Sequence, residues 1–365
     1  MLIFIRNFYN PNMSDKKLTR VLIIPTILIF SFFTSCDGIN AYFDGNENTI
    51  NTSEKFFYVK TGTTLDELVQ QLIDENIVGD KESFLSVAEY KNITDDKIGA
   101  GKYNISKNTN IKTLINSFTL NRLGNGNKEV EVQVTFNNCQ DLKDIASKVS
   151  KQIEMDSAHF INYILSDSIL NKYGFSQERI IALFLPNTYN FYWDTNETAF
   201  VKKMAKQFKT FWTPSRLKKL KNQGLKSQSD AVTLASIVYK EQDKFPEEWK
   251  TIAGLYLNRI EGNWLLQSDP TFRYCWGDEL DGVQRLTYEH RAIDCPYNTY
   301  KYPGLPPGPI CVPPAEVVDA VLNAEDNDYF YMCAKPDGNG LHNFARTNAE
   351  HNRNAKKFQN WLNNR

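Results

Sequence analysis

Among the acidic residues of this sequence, Glu241 has the surroundings best suited to acid–base chemistry. Apolar residues lie seven, four and three positions before it, so a helix through this segment turns its carboxyl group toward the apolar face. Removal from water disfavours the charged form of a carboxyl group and raises its pKa. Such a group stays protonated near neutral pH and can donate its proton to a leaving oxygen. The spacing alone also allows a purely structural role, in which Glu241 reaches solvent or pairs with Lys240 or Arg259.

Three further positions carry groups that could orient a polar substrate. Asp269 precedes Pro270, and the pair is typical of a helix N-cap followed by the first helical residue. The segment 296–300, Pro-Tyr-Asn-Thr-Tyr, combines amide, hydroxyl and aromatic groups, which suits a sugar with an N-acetyl arm. His342 lies on a predicted strand. Each of these positions also has an ordinary structural explanation, so none decides the function on its own.

Helices with clear start signals are predicted to position these residues. Ser227 and Asp230 have capping-box spacing before a helix that runs to about Glu241. A second helix opens at Pro246 and stops at Gly262. The remaining predicted elements are a proline-rich loop over 300–314, strands over 328–334 and 341–345, and a last helix capped by Thr347.

The first half of the chain contains a weak internal repeat. A strand at 57–59 is followed by a helix capped by Thr64 and by a second helix begun by Asp80. The same order and spacing recur from a strand at 130–134, which predicts two small strand–helix–helix modules. Residues 37–55, ahead of the first module, are polar and turn-rich and predict a linker.

The only strongly apolar segment of the sequence is 21–33, which follows three basic residues. A basic flank before an apolar run directs the following chain across a membrane. The run has 13 residues, fewer than the about 20 of a spanning helix, and Cys36 follows it as a lipid-attachment cysteine would. We therefore expect export through an uncleaved anchor, a lipoprotein signal ending at Cys36, or a cleaved signal. Met13 is an alternative start to Met1.

Composition narrows the function classes. The length of 365 residues suggests roughly two to three domains. Because 42 basic residues balance 43 acidic ones, the overall charge does not indicate nucleic-acid binding. The cysteines lack zinc spacing and the four histidines are scattered, so we expect neither a metal nor a cofactor. An exported chain can form disulfides, and the candidate cysteines, with pairing left open, are Cys275, Cys295, Cys311 and Cys333.

Taken together, the motifs resemble in order and spacing the endolytic murein transglycosylases (MltG/YceG-like). The strings that carry the resemblance are Leu-Ala-Ser-Ile-Val-Tyr-Lys-Glu at 234–241, Asn-Arg at 258–259, Leu-Gln-Ser-Asp-Pro-Thr at 266–271, Tyr-Asn-Thr-Tyr at 297–300, Gly-Leu-Pro-Pro-Gly-Pro-Ile at 304–310 and His-Asn-Phe at 342–344. The strings at 266–271 and 304–310 are specific, whereas the N-terminal half matches in pattern only. The resemblance covers nearly the whole chain.

The resemblance implies an α+β fold in which small LysM-like strand–helix modules precede a larger mixed α+β catalytic domain. It implies that Glu241 is the catalytic residue and that the motif loops line a glycan cleft. The expected domains are a signal or membrane anchor (1–36), a linker (37–55), a LysM-like module (56–128), a second small α+β module leading into the cleft (129–195) and the transglycosylase domain (196–365). The expected substrate-binding residues are Gln267, Asp269, Tyr297, Asn298, Thr299, His342, Asn187 and Tyr189.

One departure from the family pattern falls inside the expected cleft. The family usually has Pro-Asp-Thr-Tyr where this chain has Asn187 in the sequence Pro-Asn-Thr-Tyr. A negative charge at that point is therefore dispensable here, or its role has moved to another residue.

The implied reaction is cleavage of the MurNAc–GlcNAc bond within nascent peptidoglycan strands, leaving a 1,6-anhydro-MurNAc end and terminating elongation. Glu241 would act first as acid and then as base. The implied partners are peptidoglycan strands and the synthases at the membrane, and the implied place is the cell inner membrane, with the catalytic part outside the cytoplasm. Two alternatives remain: a hydrolytic muramidase in which Asp269 activates water, and a non-catalytic peptidoglycan-binding protein.

Overall fold

A computed structural model of the chain describes residues 36–119, 129–283 and 286–364, with the backbone alone for 36–40. The described chain forms two compact units, one of residues 36–131 with 192–194, the other of residues 132–191 with 195–364. Helices and three two-stranded sheets build both units. The predicted α+β class is confirmed.

The first unit packs helices against one small antiparallel sheet. Its elements are α1 (Cys36–Asn46), β1 (Lys55–Val59), α2 (Leu65–Asp74), α3 (Lys81–Tyr90), β2 (Gly101–Ile105) and α4 (Ile111–Ser117). Strands β1 and β2 pair with Phe57 opposite Tyr103, and both side chains are buried. Thr64 caps α2 through the expected capping box with Glu67, and Asp80 caps α3. The strand–helix–helix order read from the sequence is therefore present.

The segment for which composition predicts a linker is structured instead. It begins with α1, which packs on α3 and α4; Gly45 lies against Val87 and the Cβ atom of Lys112. Farther on, Asn51 is buried and its amide donates to the carbonyls of Ser53 and Ser106. Small residues at the contact and hydrogen-bonded amides let this polar stretch pack, which a reading of local composition does not detect.

The second unit begins at the second repeat and continues into the longer helices. Its elements are β3 (Glu131–Thr135), α5 (Leu142–Ser150), α6 (Ser157–Ile164), α7 (Asp167–Tyr173), β4 (Thr188–Tyr192), α8 (Glu197–Phe211), α9 (Pro214–Asn222), α10 (Gln228–Glu241), α11 (Trp249–Glu261), α12 (Asp269–Trp276), α13 (Tyr288–Arg291), α14 (Ala315–Leu322), β5 (Tyr331–Ala334), β6 (His342–Ala345) and α15 (Asn348–Asn363). The repeated strand and helices share one apolar core with the helices that follow them.

Helix α10 lies at the centre of that core. Its residues 229–238 are all buried, and α11, α12 and α14 pack around it. Ser227 and Asp230 form the predicted capping box at its start. The proline-rich loop leads into α14, and strands β5 and β6 form the predicted antiparallel hairpin. The polar end of α10 therefore emerges where several loops converge.

No helix among the described residues is long and apolar enough to cross a membrane. The apolar segment 21–33, on which the predicted anchor depends, lies outside the described residues.

Candidate active site

Glu241 is the last residue of α10 and is held by two hydroxyl groups. The Tyr256 hydroxyl, from α11, donates to Oε1 of Glu241 at 2.8 Å, and the Ser268 hydroxyl donates to the same oxygen. No described residue donates to Oε2, and that atom is not enclosed by the protein. One oxygen of the carboxyl group is thus fixed while the other is open for a substrate.

Burial raises the pKa of Glu241 above its usual range. The nearby charge of Asp269 adds to the upward shift of the pKa. The hydrogen bonds from Ser268 and Tyr256, together with the charge of His342, oppose it. The balance favours a protonated carboxyl group, which is the state that a general acid needs at the start of a reaction.

The ion pair with Lys240 or Arg259 that the sequence allowed for Glu241 does not form. The Lys240 ammonium group donates to the side chain of Gln140 at 2.7 Å instead. The Arg259 guanidinium group donates to the backbone carbonyls of Phe330 and Leu266. Neither cation pairs with Glu241.

Ser268 reaches Glu241 because a buried hydroxyl network fixes the start of α12. The Ser268 backbone N–H donates to the Thr299 hydroxyl at 3.0 Å, and the Thr271 hydroxyl donates to the Ser268 carbonyl at 2.6 Å. The hydroxyls of Thr271 and Thr299 lie 2.8 Å apart, and all three residues are buried. Thr299, expected to bind substrate, thus supports the serine that holds the carboxyl group.

Asp269 is the first residue of α12 rather than its N-cap; Ser268 occupies the N-cap position. The predicted boundary was therefore wrong by one residue, because Ser268 is held in extended conformation by Thr299. The Tyr300 hydroxyl donates to Oδ1 of Asp269 at 2.5 Å, and Arg291 pairs with Oδ2 at 3.4 Å. Both carboxylate oxygens of Asp269 therefore have partners within the protein.

The other residues expected to bind substrate divide by exposure. The Gln267 side chain is exposed, and its backbone has a φ of 49°. The Tyr297 ring is half-buried and lies 4.7 Å from the ring of Tyr274. Asn298 is fully buried, and its amide donates to the carbonyls of Arg291 and Ile293. The amide of Asn298 is therefore committed to holding the loop.

His342, at the start of β6, contacts a carboxylate that the sequence gave no reason to select. Its Nδ1 atom lies 2.7 Å from Oε2 of Glu248, and its backbone N–H donates to Oε1 at 2.8 Å. The Gln242 amide, from the residue that directly follows Glu241, donates to Oε2 of the same Glu248 at 2.9 Å.

Asn187 and Tyr189 lie at β4. Asn187 is exposed, and its side-chain oxygen accepts from the backbone N–H of Thr188 at 2.7 Å. Tyr189 stacks on Phe136 and donates to the Leu185 carbonyl at 2.7 Å. No hydrogen bond joins either residue to Glu241 in the described chain.

The geometry of the site agrees with what comparison with known proteins shows. A family model described as the YceG-like family matches residues 57–357, which are well over half of the chain. The chain belongs to the YceG-like family. The membership predicted from the ordered motifs is confirmed.

Relatives of this YceG-like chain carry a common name. An endolytic murein transglycosylase of Bacillus subtilis strain 168 is 27% identical over 317 residues, which cover 82% of this chain and 83% of that protein. One of Streptococcus pneumoniae D39 is 24% identical over 83% of this chain but only 58% of its own length. A crystal structure of a yceG-like protein from Listeria monocytogenes aligns with a TM-score of 0.52 at 23% identity, over 83% of this chain and 99% of that one. That last likeness supports the fold.

Two cavities adjoin the YceG-like site. One, of about 700 Å³, is lined by Lys240, Pro270 and Tyr274. Lys240 precedes Glu241 in the sequence and Pro270 follows Asp269. The ring of Tyr274 contacts that of Tyr297. A second, of about 310 Å³, is lined by Tyr274 and Tyr297. Glu241 is not among the residues that line either cavity. No cluster suited to a metal ion occurs in the part of the chain that the structure describes.

Sequence reasoning missed the groups that touch the predicted ones. Ser268 lies inside the specific string at 266–271, so the string contains the signal, but its neighbour Asp269 carries the charge by which a candidate residue is recognised. Tyr256 and Glu248 occupy positions typical of a buried stripe and of a helix start, and nothing local distinguishes them. Their roles come from contacts between distant segments.

Proposed function

We propose that this chain is an endolytic murein transglycosylase, which cleaves the MurNAc–GlcNAc bond within peptidoglycan strands and leaves a 1,6-anhydro-MurNAc end. The supporting observation is Glu241: a carboxyl group with a raised pKa, one oxygen held by Ser268 and Tyr256 and the other open. The names of the B. subtilis and S. pneumoniae relatives agree with this chemistry.

The proposed reaction uses one carboxyl group twice. Protonated Glu241 gives its proton to the oxygen that links MurNAc to the next GlcNAc, and the bond from that oxygen to C1 breaks. The 6-hydroxyl oxygen of the same MurNAc then bonds to C1, and its proton passes to the Glu241 carboxylate. The carboxyl group is thereby restored. Because the nucleophile belongs to the substrate, its effective concentration is high and water competes poorly.

A hydrolytic muramidase is the second candidate, since a second carboxyl group, that of Asp269, is close enough to contribute to the raised pKa of Glu241. A hydrolase needs its second carboxylate to activate a water. Both oxygens of Asp269 already have partners, Tyr300 and Arg291, so we favour transglycosylation. Mass spectrometry of the products separates the two, because an anhydro end is one water lighter than a reducing end. Fragments with reducing-end muramic acid alone would establish the hydrolase.

The role of Glu241 is tested by Glu241→Gln on purified peptidoglycan. We expect at least a thousandfold loss of product, since general acid catalysis contributes about 10²–10⁴ and the same residue acts twice. Glu247→Gln removes an exposed carboxylate nearby and should leave activity unchanged. Strand binding should remain near wild type in both variants, and neither variant should melt at a lower temperature than wild type. Full cleavage by Glu241→Gln would exclude Glu241 as the catalytic residue. Strand binding without cleavage by wild type would favour a non-catalytic peptidoglycan-binding protein.

The place of action follows from the substrate. Peptidoglycan lies outside the cytoplasm, and the basic flank and apolar run at 21–33 would deliver the chain there. Cleavage inside a strand that is still being extended would limit its length and would bring the enzyme close to the synthases at the membrane. A shift toward longer glycan strands in cells that express only Glu241→Gln tests this part.

A further inference from the structure

The cavity of about 700 Å³ follows α12 along its whole length. Pro270, Arg273 and Tyr274 lie three and one residues apart, so they share one face of the helix, and all three line the cavity. Its wall continues past the end of α12 at Gly277. The eight residues of α12 rise about 12 Å at 1.5 Å per residue. The cavity is therefore long enough for a short peptide in extended conformation.

One end of this cavity is fixed next to the carboxyl group of Glu241. Ser268, the N-cap residue of α12, donates to Oε1 of Glu241, and Pro270 follows two residues later. Lys240, which directly precedes Glu241, lines the same end. Glu241 itself does not line the cavity. A sugar held at Glu241 would thus have the cavity beside it, where a side arm of that sugar could enter.

Two cations line the cavity, and only one of them is committed to the fold. The Arg273 guanidinium group donates to the carbonyls of Leu280 and Val283 and so holds the turn after α12. The Lys240 ammonium group donates to the side-chain oxygen of Gln140 at 2.7 Å, which leaves two of its three donors for a ligand. No carboxylate among the described residues forms an ion pair with either cation.

Carboxylates line the other end of the cavity. Asp278 and Asp281 lie on the turn after α12, are exposed, and have no ion-pair partner in the described parts of the chain. A third carboxylate, Asp141, caps α5 and accepts from the backbone N–H of Asp144 at 2.9 Å. The cavity therefore offers a cation next to Glu241 and two carboxylates beyond the far end of α12.

We propose that this cavity binds the stem peptide, the short peptide on the lactyl group of the MurNAc residue that is cleaved. The inference rests on the proposed function and adds a specificity site to it. In a stem peptide the second residue is an acidic D-glutamate and the third is a diamino acid. Lys240 would donate to the carboxylate of the second residue, and Asp278 and Asp281 would accept from the ammonium group of the third. Three extended residues span about 10 Å, which matches the length of α12.

Three substrates test the site with wild type alone. They are uncrosslinked peptidoglycan strands with their peptides, the same strands after an amidase has removed the peptides, and strands whose free amines have been acetylated. A hydrogen bond to a charged group contributes about ten- to a hundredfold. We therefore expect kcat/KM to fall about tenfold on acetylated strands, which lack the ammonium group, and further on strands without peptides.

Variants at each end of the cavity locate the peptide. Asp278→Asn combined with Asp281→Asn should remove the effect of acetylation, whereas Glu279→Gln, exposed between them and outside the cavity lining, should keep it. Lys240→Gln should lower kcat/KM about tenfold on strands with peptides and so narrow the difference from strands without them. Lys218→Gln, exposed on α9, is its control. Melting temperatures are measured for every variant.

The outcomes separate this inference from the proposed function. Equal kcat/KM of wild type on all three substrates overturns the stem-peptide site and leaves the transglycosylase in place. A preference for peptides that none of the cavity variants alters places the peptide elsewhere and overturns the site as well. A wild-type chain that cleaves none of the three substrates overturns the proposed function itself.

Discussion

The raised pKa of the Glu241 carboxyl group makes the stability of the folded protein depend on pH. That pKa is raised by burial, so the folded state holds the proton more tightly than the unfolded chain does. The stabilising effect is complete below the ordinary carboxyl pKa of 4.5 and is lost as pH rises through the higher folded value. The wild-type protein should therefore be less stable at neutral pH than a variant that cannot ionise at this position.

Glu241→Gln tests that linkage by calorimetry. We expect a higher melting temperature than wild type at neutral pH, by roughly 2–4 °C for each kcal/mol of relieved burial. The difference should vanish at pH 4 and below, where the wild-type carboxyl group is protonated too. Glu247→Gln is exposed and should show no such pH-dependent gain. Equal melting temperatures across the whole range would mean that burial does not perturb Glu241.

Ser268 and Tyr256 set the upper pH limit of activity. Both hydrogen bonds lower the pKa of Glu241, opposing burial. Removing the Ser268 hydroxyl should raise that pKa further, so the alkaline limb of the pH–rate profile should move to higher pH in Ser268→Ala. The maximum rate should fall about tenfold, because one oxygen of the carboxyl group loses a charge-assisted hydrogen bond. Ser215→Ala, exposed on α9, is the control; an alkaline limb that stays in place or moves down would contradict the prediction.

At the level of single residues, the sequence predicted where a side chain lies in the fold better than it predicted which groups that side chain contacts. Helical spacing predicted that the Glu241 carboxyl group turns toward the protein interior, and burial does raise its pKa. The role expected of Asn298 came from its chemistry, but its amide is committed to backbone carbonyls. Whether an amide or hydroxyl faces a substrate depends on which distant segment it meets. One sequence does not contain that information.

Among the elements, the proline-rich loop over 300–314 is held by contacts along its length. Arg179 donates to the Pro307 carbonyl at 3.1 Å, and the Ile310 backbone N–H donates to the Ser236 hydroxyl, from α10, at 3.0 Å. At Gly308 the loop lies so close to the backbone carbonyl of Glu178 that a Cβ atom would overlap it. This close approach explains one glycine of the Gly-Leu-Pro-Pro-Gly-Pro-Ile string.

Gly308→Ala should force the loop away from Glu178. Overpacking of this kind costs about 1–3 kcal/mol, and the obstacle here is backbone, which yields less readily than a side chain. We expect a lower melting temperature and a reduced kcat/KM, since the loop also contacts α10. Pro303→Ala, at an exposed position of the same loop, should leave both nearly unchanged. A variant at position 308 with wild-type stability would show that the loop is not seated as described.

The disulfide between Cys275 and Cys295 ties α12 to the segment ahead of Tyr297. Of the four candidate cysteines, the structure pairs these two and leaves Cys311 and Cys333 free. The bridge closes a loop of 20 residues that contains Arg291, the partner of Asp269. Loop closure of this size is worth about 3 kcal/mol on the chain-entropy model.

Reduction should therefore lower the melting temperature and loosen the Arg291–Asp269 pair. We expect Cys275→Ser with Cys295→Ser to reproduce the effect of a reductant and to be insensitive to it. Cys333→Ser removes a free thiol and should behave as wild type under both conditions. The measurement is thermal unfolding with and without dithiothreitol, together with kcat/KM. Identical melting temperatures of the reduced and oxidised forms would show that the disulfide does not stabilise the protein.

Helices were predicted correctly where the sequence signals that define them lie within a few residues of each other. Capping boxes at Thr64 and Ser227 lie within four residues of sequence and were read correctly. Helix α1 was missed because its stretch is polar and contains glycine and asparagine, which argue against a helix in isolation. Its packing on α3 and α4 overrides that preference. Because α3 and α4 lie far from α1 along the chain, no short stretch of sequence contains both sides of this contact.

For the whole molecule, α1 brings the first unit close to any attachment point at Cys36. The described part of the helix, Cys36–Asn46, packs on α3 and α4 and spans about 17 Å at 1.5 Å per residue. A tether at or just before Cys36 would thus hold the first unit within about 20 Å of the bilayer, without the flexible linker that composition predicted. An enzyme that acts on strands still emerging at the membrane would benefit from such a short tether.

The anchor itself is testable in cells. We expect the full chain to sediment with membranes, to resist high salt because the attachment is apolar, and to be released by detergent. Deleting 21–33 should abolish membrane association, since no described helix could replace it. Labelling with palmitate separates the two modes of attachment: incorporation that is lost in Cys36→Ala and retained in the matched Cys333→Ala indicates a lipid anchor, whereas sedimentation without label indicates a peptide anchor. Full recovery of the undeleted chain without detergent would exclude both and would leave a cleaved signal as the route of export.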